Sequence, residues 1–440
     1  MRFCEGYRRW AAACSLSPAM LRLIYTVLIY MVAPVAFAVT AWRGIRNPAY
    51  RERLPERFGF TAMRSSDPVI WVHAVSVGEV QAAAALIRRL RQRYPQKTLV
   101  VTTATPTGAQ RVRALFGDSV AHCYLPYDLP GAVRRFLDRV RPAVAIIVET
   151  EVWPNLFREC GRRNLPIVLA SARLSEKSVR RFRWVGGLFR AALARDIVIG
   201  AQTALDAERF LAVGSDAART LVTGNIKFDL EIPAEVRAQG LELRTQFAQR
   251  FVWVAGSTHE GEEQILLDAH RRVQASRPDA LLVLVPRHPD RFERVRNWLS
   301  AQGASYATRS RHDAVTATTA VLLVDTLGEL LKFYAAADVA FVGGSLVPIG
   351  GHNLLEPAAL ALPILTGPHN FNAPDVARLL LQNGAAKEVR DANELSAALL
   401  ELCADPSRRD NVGRAALAIV EANRGAVARV VRLIEPVMRE

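Results

Sequence analysis

Ser76 and Glu79 stand three residues apart in "IWVHAVSVGEVQAAAAL", residues 70–86, where a β-branched run turns into an Ala-rich helix. Two chemistries fit that spacing. Ala74-Val75-Ser76-Val77-Gly78 comes close to the G-x-S-x-G elbow that exposes a nucleophilic serine at a strand-to-helix turn, but lacks its leading glycine. Glu79 is instead a carboxylate at a helix N-terminus, kept ionised by the dipole and able to accept a proton. Further along, "ETEVWPN" at 149–155 carries two more carboxylates. Period-two alternation sets Glu149 and Glu151 on one face of a strand end, with Glu151 capping a helix near Pro154 and Glu149 left for chemistry. "GNIKFD" puts Lys227 where the first half of the chain ends, facing a cleft.

The second half offers anion-binding chemistry. In "VPRHPDRF", Arg287 and His288 follow a strand, and an arginine there can grip a phosphate bidentately. "VGGSLVPIGGHNLLEPAALALP" combines Gly343, Gly344, Gly350 and Gly351 with a helix expected near Asn353, whose free N–H groups would face a phosphate while Glu356 takes a ribose hydroxyl. The ordinary reading is a Gly-rich turn capped by Asn353, since the spacing is neither Walker nor G-x-G-x-x-G. His73, His259, His288 and His352 have no metal-ligand spacing and no Asp-x-Asp pair occurs, so neither metal nor cofactor is expected.

These residues need rigid elements to hold them. Apolar β-rich runs at 69–76, 98–105, 120–125, 143–150, 167–172, 196–201 and 219–223 alternate with amphipathic helices, and the pattern restarts at 251–257, 280–287, 320–325, 339–345 and 363–367. Such alternation predicts two parallel sheets covered by helices, with ligands taken in a cleft at the strand ends, where the polar residues gather. The expected boundaries are 1–45 for an extension and membrane anchor, 46–227 for one domain and 228–440 for the other, the last helix being free to pack back on the first.

Composition narrows the partners. The net charge is +15, and residues 1–60 contribute nine arginines against Glu5, Glu52 and Glu56. They flank "LIYTVLIYMVAPVAFAVTAW" at 23–42, an uncharged run long enough to span a bilayer. Arg43, Arg46, Arg51, Arg53 and Arg57 follow it at once, which favours an uncleaved anchor with the rest of the chain cytoplasmic over a cleaved signal ending near Ala38. Five scattered cysteines suit a reducing compartment. In "RRFRWVGGLFRAALAR", Arg180, Arg181, Arg183 and Trp184 mix charge with aromatic surface; no nucleic-acid fold precedes them, and the anchor tilts the reading towards a phosphorylated lipid or anionic membrane.

Taken together, "NPAYRERLPERFGF", "WVHAVSVGEV", "TTATPTG", "PYD", "ETEVWPN", "SARLSEKS", "GNIKFD", "AGSTHEGEE", "VPRHPDRF", "DTLGELLKFYAAADVAFVGGSL" and "GGHNLLEPAA", in order from residue 47 to about 375, closely resemble the Kdo (3-deoxy-D-manno-octulosonic acid) transferases of lipopolysaccharide synthesis. The resemblance implies an α/β GT-B fold, two Rossmann-like doubly wound domains facing a cleft with an N-terminal membrane anchor. It implies an inverting transfer of Kdo from CMP-Kdo to the phosphorylated lipid A precursor at the cytoplasmic side of the inner membrane, without metal or other cofactor. It makes Glu79 the proton acceptor and sets Glu149 and Lys227 near the reacting centre. It assigns CMP contacts to Arg287 and His288, to Leu327, Gly328 and Glu329, and to Asn353, Leu354, Leu355 and Glu356. Leu327 stands where methionine is expected and Leu354 where proline is common, both positions where backbone groups can make the contact. Chains of this family usually begin near Met20, so residues 1–19 either form an extension or lie ahead of the true start. The rival classes are a nucleotide-sugar epimerase of the same architecture, a membrane-bound lipid esterase using Ser76, and a non-catalytic scaffold.

Overall fold

The structure is a computed structural model that describes residues 18–46, 48–176, 178–179 and 197–438. The chain forms two compact units, one running to Asp229 and recruiting the final segment from Arg424, the other Leu230–Asn423.

In the first unit, β1 (Val69–His73), β2 (Leu99–Thr103), β3 (Ala121–Tyr124), β4 (Pro142–Val148), β5 (Ile167–Ala172), β6 (Ile197–Ala201) and β7 (Thr220–Val222) build one parallel sheet. Its order is β3-β2-β1-β4-β5-β6-β7. β1 and β5 are buried at every residue, because helices cover both faces and leave no solvent side for a polar alternation. Trp71, Phe136 and Ile147 fill one side, and Ile70, Leu86, Ile87 and Ile146 the other. The chain reverses direction across the sheet between β1 and β4, which pair in register Ile70↔Val144 through His73↔Ile147. That is the switch point at which doubly wound sheets open a crevice.

The second unit repeats the plan with β8 (Val252–Thr258), β9 (Leu281–Pro286), β10 (Tyr306–Thr308), β11 (Val321–Leu323), β12 (Val339–Val342), β13 (Ile364–Thr366) and β14 (Ala386–Glu388). Their order is β10-β11-β9-β8-β12-β13-β14, all parallel, with the switch between β8 and β12. The two edge strands, β10 and β14, escape sequence inspection because each has three residues and β14 reads Ala-Lys-Glu. Most other strands stop one to three residues short of the expected ends, where the backbone turns into the loops that carry the polar residues.

Two of the helices outside the βα repeat bear on the first unit. The helix Ala426–Val437 returns to the first unit, where Ala426, Val430 and Ile434 are fully buried in the core beside Ile226. The Asp229 carboxylate accepts from the Gly425 and Val427 N–H groups, which would otherwise be orphaned at the helix start. The helix Pro18–Arg46 holds the apolar run. Its span Met20–Ile45 has mean hydropathy 2.1 and is the one helix among the described residues long and apolar enough to cross a membrane.

Candidate active site

In the first unit the candidate groups hang from the ends of β1 and β4. The helix Val77–Arg93 follows β1, and Ser76 is its N-cap, accepting from the Glu79 N–H at 3.4 Å. Glu79 answers: its carboxylate accepts from the Val75 N–H at 2.8 Å and from the Ser76 hydroxyl at 3.3 Å. This is a capping box shifted by one residue, and on its own would be a purely structural device. The surroundings argue for more. Burial, with added repulsion from Glu149 and Glu151, raises the Glu79 carboxyl to about 7, the Val75 and Ser76 hydrogen bonds only partly offsetting the rise. A carboxylate balanced near neutrality both accepts and releases protons efficiently. Ser76 already spends its oxygen on the helix end, as scaffold.

β4 ends at Val148, and Glu149 takes a positive φ of 60°. Strand alternation therefore ends one residue before Glu149 and does not set where that side chain points. The conformation is one that non-glycine residues rarely adopt and that concentrates at functional sites. It is held by the Glu149 N–H donating to Ala170 O at 2.9 Å and by Thr150, whose hydroxyl donates to Arg173 O at 2.6 Å and accepts from the Arg173 N–H. Lys227 donates to Glu149 at 2.6 Å, both side chains being about a quarter to a third exposed. Asn225 fixes that end by accepting from the Lys227 N–H while its amide donates to Gln202.

Glu151 is not the helix cap expected of it. The helix begins at Pro154, and the Asp128 carboxylate of the "PYD" segment accepts from the Asn155 and Leu156 N–H groups at 2.9 and 2.8 Å. Burial raises the Glu151 carboxyl, Glu149 adds to the rise, and the nearby Trp153 indole N–H opposes it. Three carboxylates thus share one neighbourhood, and Lys227 supplies a cation to it.

In the second unit the Gly-rich loop does something the sequence did not suggest. The Glu262 carboxylate, fully buried, accepts from the N–H groups of His259, Gly344, Ser345 and Leu346 at 2.7–3.0 Å. The loop's anion-binding amides are therefore filled by the protein's own carboxylate. A Cβ on Gly343 would lie 2.6 Å from Ser257 O, so glycine there serves close packing. The following helix is only Leu355–Ala359, and the Leu355 N–H is taken by Asn353 at 3.1 Å, so no long dipole aims at a phosphate. The Asn353 amide donates to Glu356, and the side chains of Leu354 and Leu355 are buried.

What the two loops do assemble is a histidine cluster. His259 and His352 stack with centroids 5.1 Å apart and Nε2 atoms 2.8 Å apart, and the His288 ring meets His259 edge-on at 5.2 Å. Burial lowers His259 to about 4 and His352 to about 3, helped by Arg287 and by the other rings, so the cluster is neutral at pH 7. Arg287 stands beside it, and among the described residues no carboxylate pairs with its guanidinium. Its neighbour Arg291, by contrast, is held bidentately by Glu263 at 2.8 and 3.0 Å. Leu327 is 70% exposed and Gly328 has φ 81°. Burial would raise Glu329, but Lys332, Thr326 and Arg309 hold it down at about 2. His259 and Glu262 went unassigned from sequence although both lie in "AGSTHEGEE". Arg180, Arg181, Arg183 and Trp184 lie outside the described residues. Among the described residues no group of three or more His, Cys, Asp or Glu side chains is arranged to hold a metal ion.

Residues 52–230 match the family model described as 3-deoxy-D-manno-octulosonic-acid transferase (kdotransferase). A 3-deoxy-D-manno-octulosonic acid transferase of Haemophilus influenzae is 41% identical over 95% of this chain and 99% of its own. One of Bordetella pertussis is 39% identical over 94% and 99%. Among solved structures, a putative UDP-N-acetylglucosamine 2-epimerase of Listeria monocytogenes shares the architecture, with TM-score 0.55 at 16% identity over 84% of this chain and 95% of that one. The epimerase likeness is one of fold alone, whereas identity near 40% over essentially whole chains is one of family: this chain belongs to the 3-deoxy-D-manno-octulosonic acid transferases.

Proposed function

We propose that this chain transfers Kdo from CMP-Kdo to a hydroxyl of the phosphorylated lipid A precursor, with inversion, at the cytoplasmic face of the inner membrane. The observation that carries the reading is Glu79, a carboxyl raised to about 7 and oriented by Val75 and Ser76 at the switch point of the first sheet. Glu79 removes the acceptor's proton as the oxygen attacks the anomeric carbon, and the C–O bond to CMP breaks on the opposite face. Lys227, paired with Glu149, holds the charge balance of the carboxylate group while the proton moves. Arg287, with the neutral His288, His259 and His352 beside it, meets the charge gained by the departing CMP phosphate. Leu327, Gly328 and Glu329, and Asn353 through Glu356, complete the CMP contacts, Leu354 and Leu355 by backbone alone. The proposal uses no metal. Arg180, Arg181, Arg183 and Trp184 are assigned to the acceptor phosphates or the anionic membrane.

The test is incubation of the protein with CMP-Kdo and lipid acceptor in EDTA, following CMP release and the product's mass. One CMP per Kdo added supports the reading. CMP release without a glycosylated lipid, or turnover of a UDP-sugar with no acceptor, overturns it.

A further inference from the structure

The helix Pro18–Arg46 has the length and hydropathy of a bilayer span, yet it is docked lengthwise on the first unit. Near its start, the Tyr25 hydroxyl donates to Asp128 at 2.9 Å and Thr26 donates to Asn155 at 3.2 Å. Near its end, the Thr40 hydroxyl lies 3.3 Å from that of Tyr127, Phe37 packs on Phe58 with centroids 6.0 Å apart, and Gly44 is buried against Arg51. Tyr25 and Thr40 are fifteen positions apart, about 22 Å along the axis at 1.5 Å per residue. That is most of the roughly 30 Å thickness of a hydrocarbon core. A helix crossing the bilayer would drag Tyr127, Asp128 and Asn155, with the irregular backbone around them, into lipid, where unpaired polar backbone is not tolerated.

The opposite face is built for a different environment. Ile24, Leu28, Met31, Val35 and Trp42 recur at helical spacing and are 44–61% exposed. Tyr30, also exposed, sits near the middle of the run; an amphipathic ring suits the headgroup level and not a bilayer centre.

We propose that this helix lies in the plane of the membrane, its Tyr25–Thr40 side fixed to the catalytic unit and its Ile24–Trp42 side sunk into one leaflet of an anionic phospholipid bilayer. Charge supports that occupant: Arg22 and Arg43 flank the apolar run at its two ends, and the chain is strongly cationic. The arrangement also joins the bilayer surface to the site. Asp128, which receives Tyr25, is the residue that holds the start of the Pro154 helix, directly after Glu149 and Glu151. A lipid acceptor can then stay in its leaflet while its headgroup reaches the carboxylates.

The inference rests on the membrane reading above, and its test separates the two. In full-length protein with Cys4→Ser and Cys14→Ser, leaving Cys123, Cys160 and Cys403 buried, single cysteines at Ile24, Met31, Val35 and Trp42 carry a nitroxide. Depth is read by paramagnetic relaxation in vesicles containing phosphatidylglycerol. All four labels at one shallow depth is the expected result. Depth passing through the bilayer centre near Met31, with the ends at opposite headgroups, overturns the in-plane helix and keeps the membrane reading. Failure to bind vesicles overturns both.

Discussion

At the scale of single residues, the proposed chemistry turns on one carboxyl group whose charged form is disfavoured by burial and by two like charges. For Glu79 the pH dependence has a definite sign. As a base it works deprotonated, so kcat/KM rises with pH through about 7 and then levels. Glu79→Gln lowers turnover by at least ~10²-fold while CMP-Kdo still binds, and Ser76→Ala keeps most activity. The same raised value costs stability. Because the folded protein holds this proton when an unfolded Glu has lost it, stability declines as pH rises from about 4.5 to about 7. Glu79→Gln therefore melts above the wild type at pH 8, with a smaller gap at pH 5. The Glu149–Lys227 pair gives a second, opposed pair of outcomes. Glu149→Gln removes a like charge and moves the acid limb of the rate profile to lower pH; Lys227→Ala leaves Glu149 unbalanced and moves it higher. Equal shifts in one direction would show that the pair acts only through folding.

At the scale of elements, loops at strand ends are held by acids that the sequence marks only as polar. Glu262 organises the Gly-rich loop through three of its N–H groups and also accepts from the His259 N–H, and Glu263 clamps Arg291. Glu262→Gln would aim an amide N–H₂ at donors already pointing inwards. Leaving buried donors unpaired costs at least about 2 kcal/mol. Urea unfolding of the variant should show that loss, and a CMP affinity weakened with it would tie the loop to donor binding; an unchanged midpoint would mean the loop closes without Glu262. The candidate groups of the first unit were more legible than those of the second. S-x-x-E before an Ala-rich run is a local signal, so Ser76 and Glu79 could be located from four residues. The His259–His352 stack joins residues 93 positions apart through strands that become neighbours only in the folded sheet, and no spacing rule reports it.

At the scale of the whole molecule, the units differ in how they are cut from the chain. Leu230–Asn423 is continuous, whereas the first unit takes its final helix from the far end of the sequence. Residues 230–423 expressed alone should fold and bind CMP about as tightly as the full chain, measured by calorimetry. A chain ending at Asn423 should lose stability in the first unit, since Ala426, Val430 and Ile434 fill its core and Asp229 would face no helix end. A fragment with wild-type melting would show that this helix is dispensable. Sequence by itself determined the two parallel sheets and the family, and it singled out Glu79 and Ser76 as the candidates, because periodicity, β-branched runs and short motifs are local and survive without coordinates. Tertiary structure alone decided that Glu149 leaves the strand with a positive φ, that Asp128 and not Glu151 holds the Pro154 helix, that Glu262 fills the glycine loop, and that the apolar N-terminal helix is docked along one side. Each depends on which distant backbone N–H or hydroxyl a polar group meets, and burial forces that pairing only once the sheets have formed.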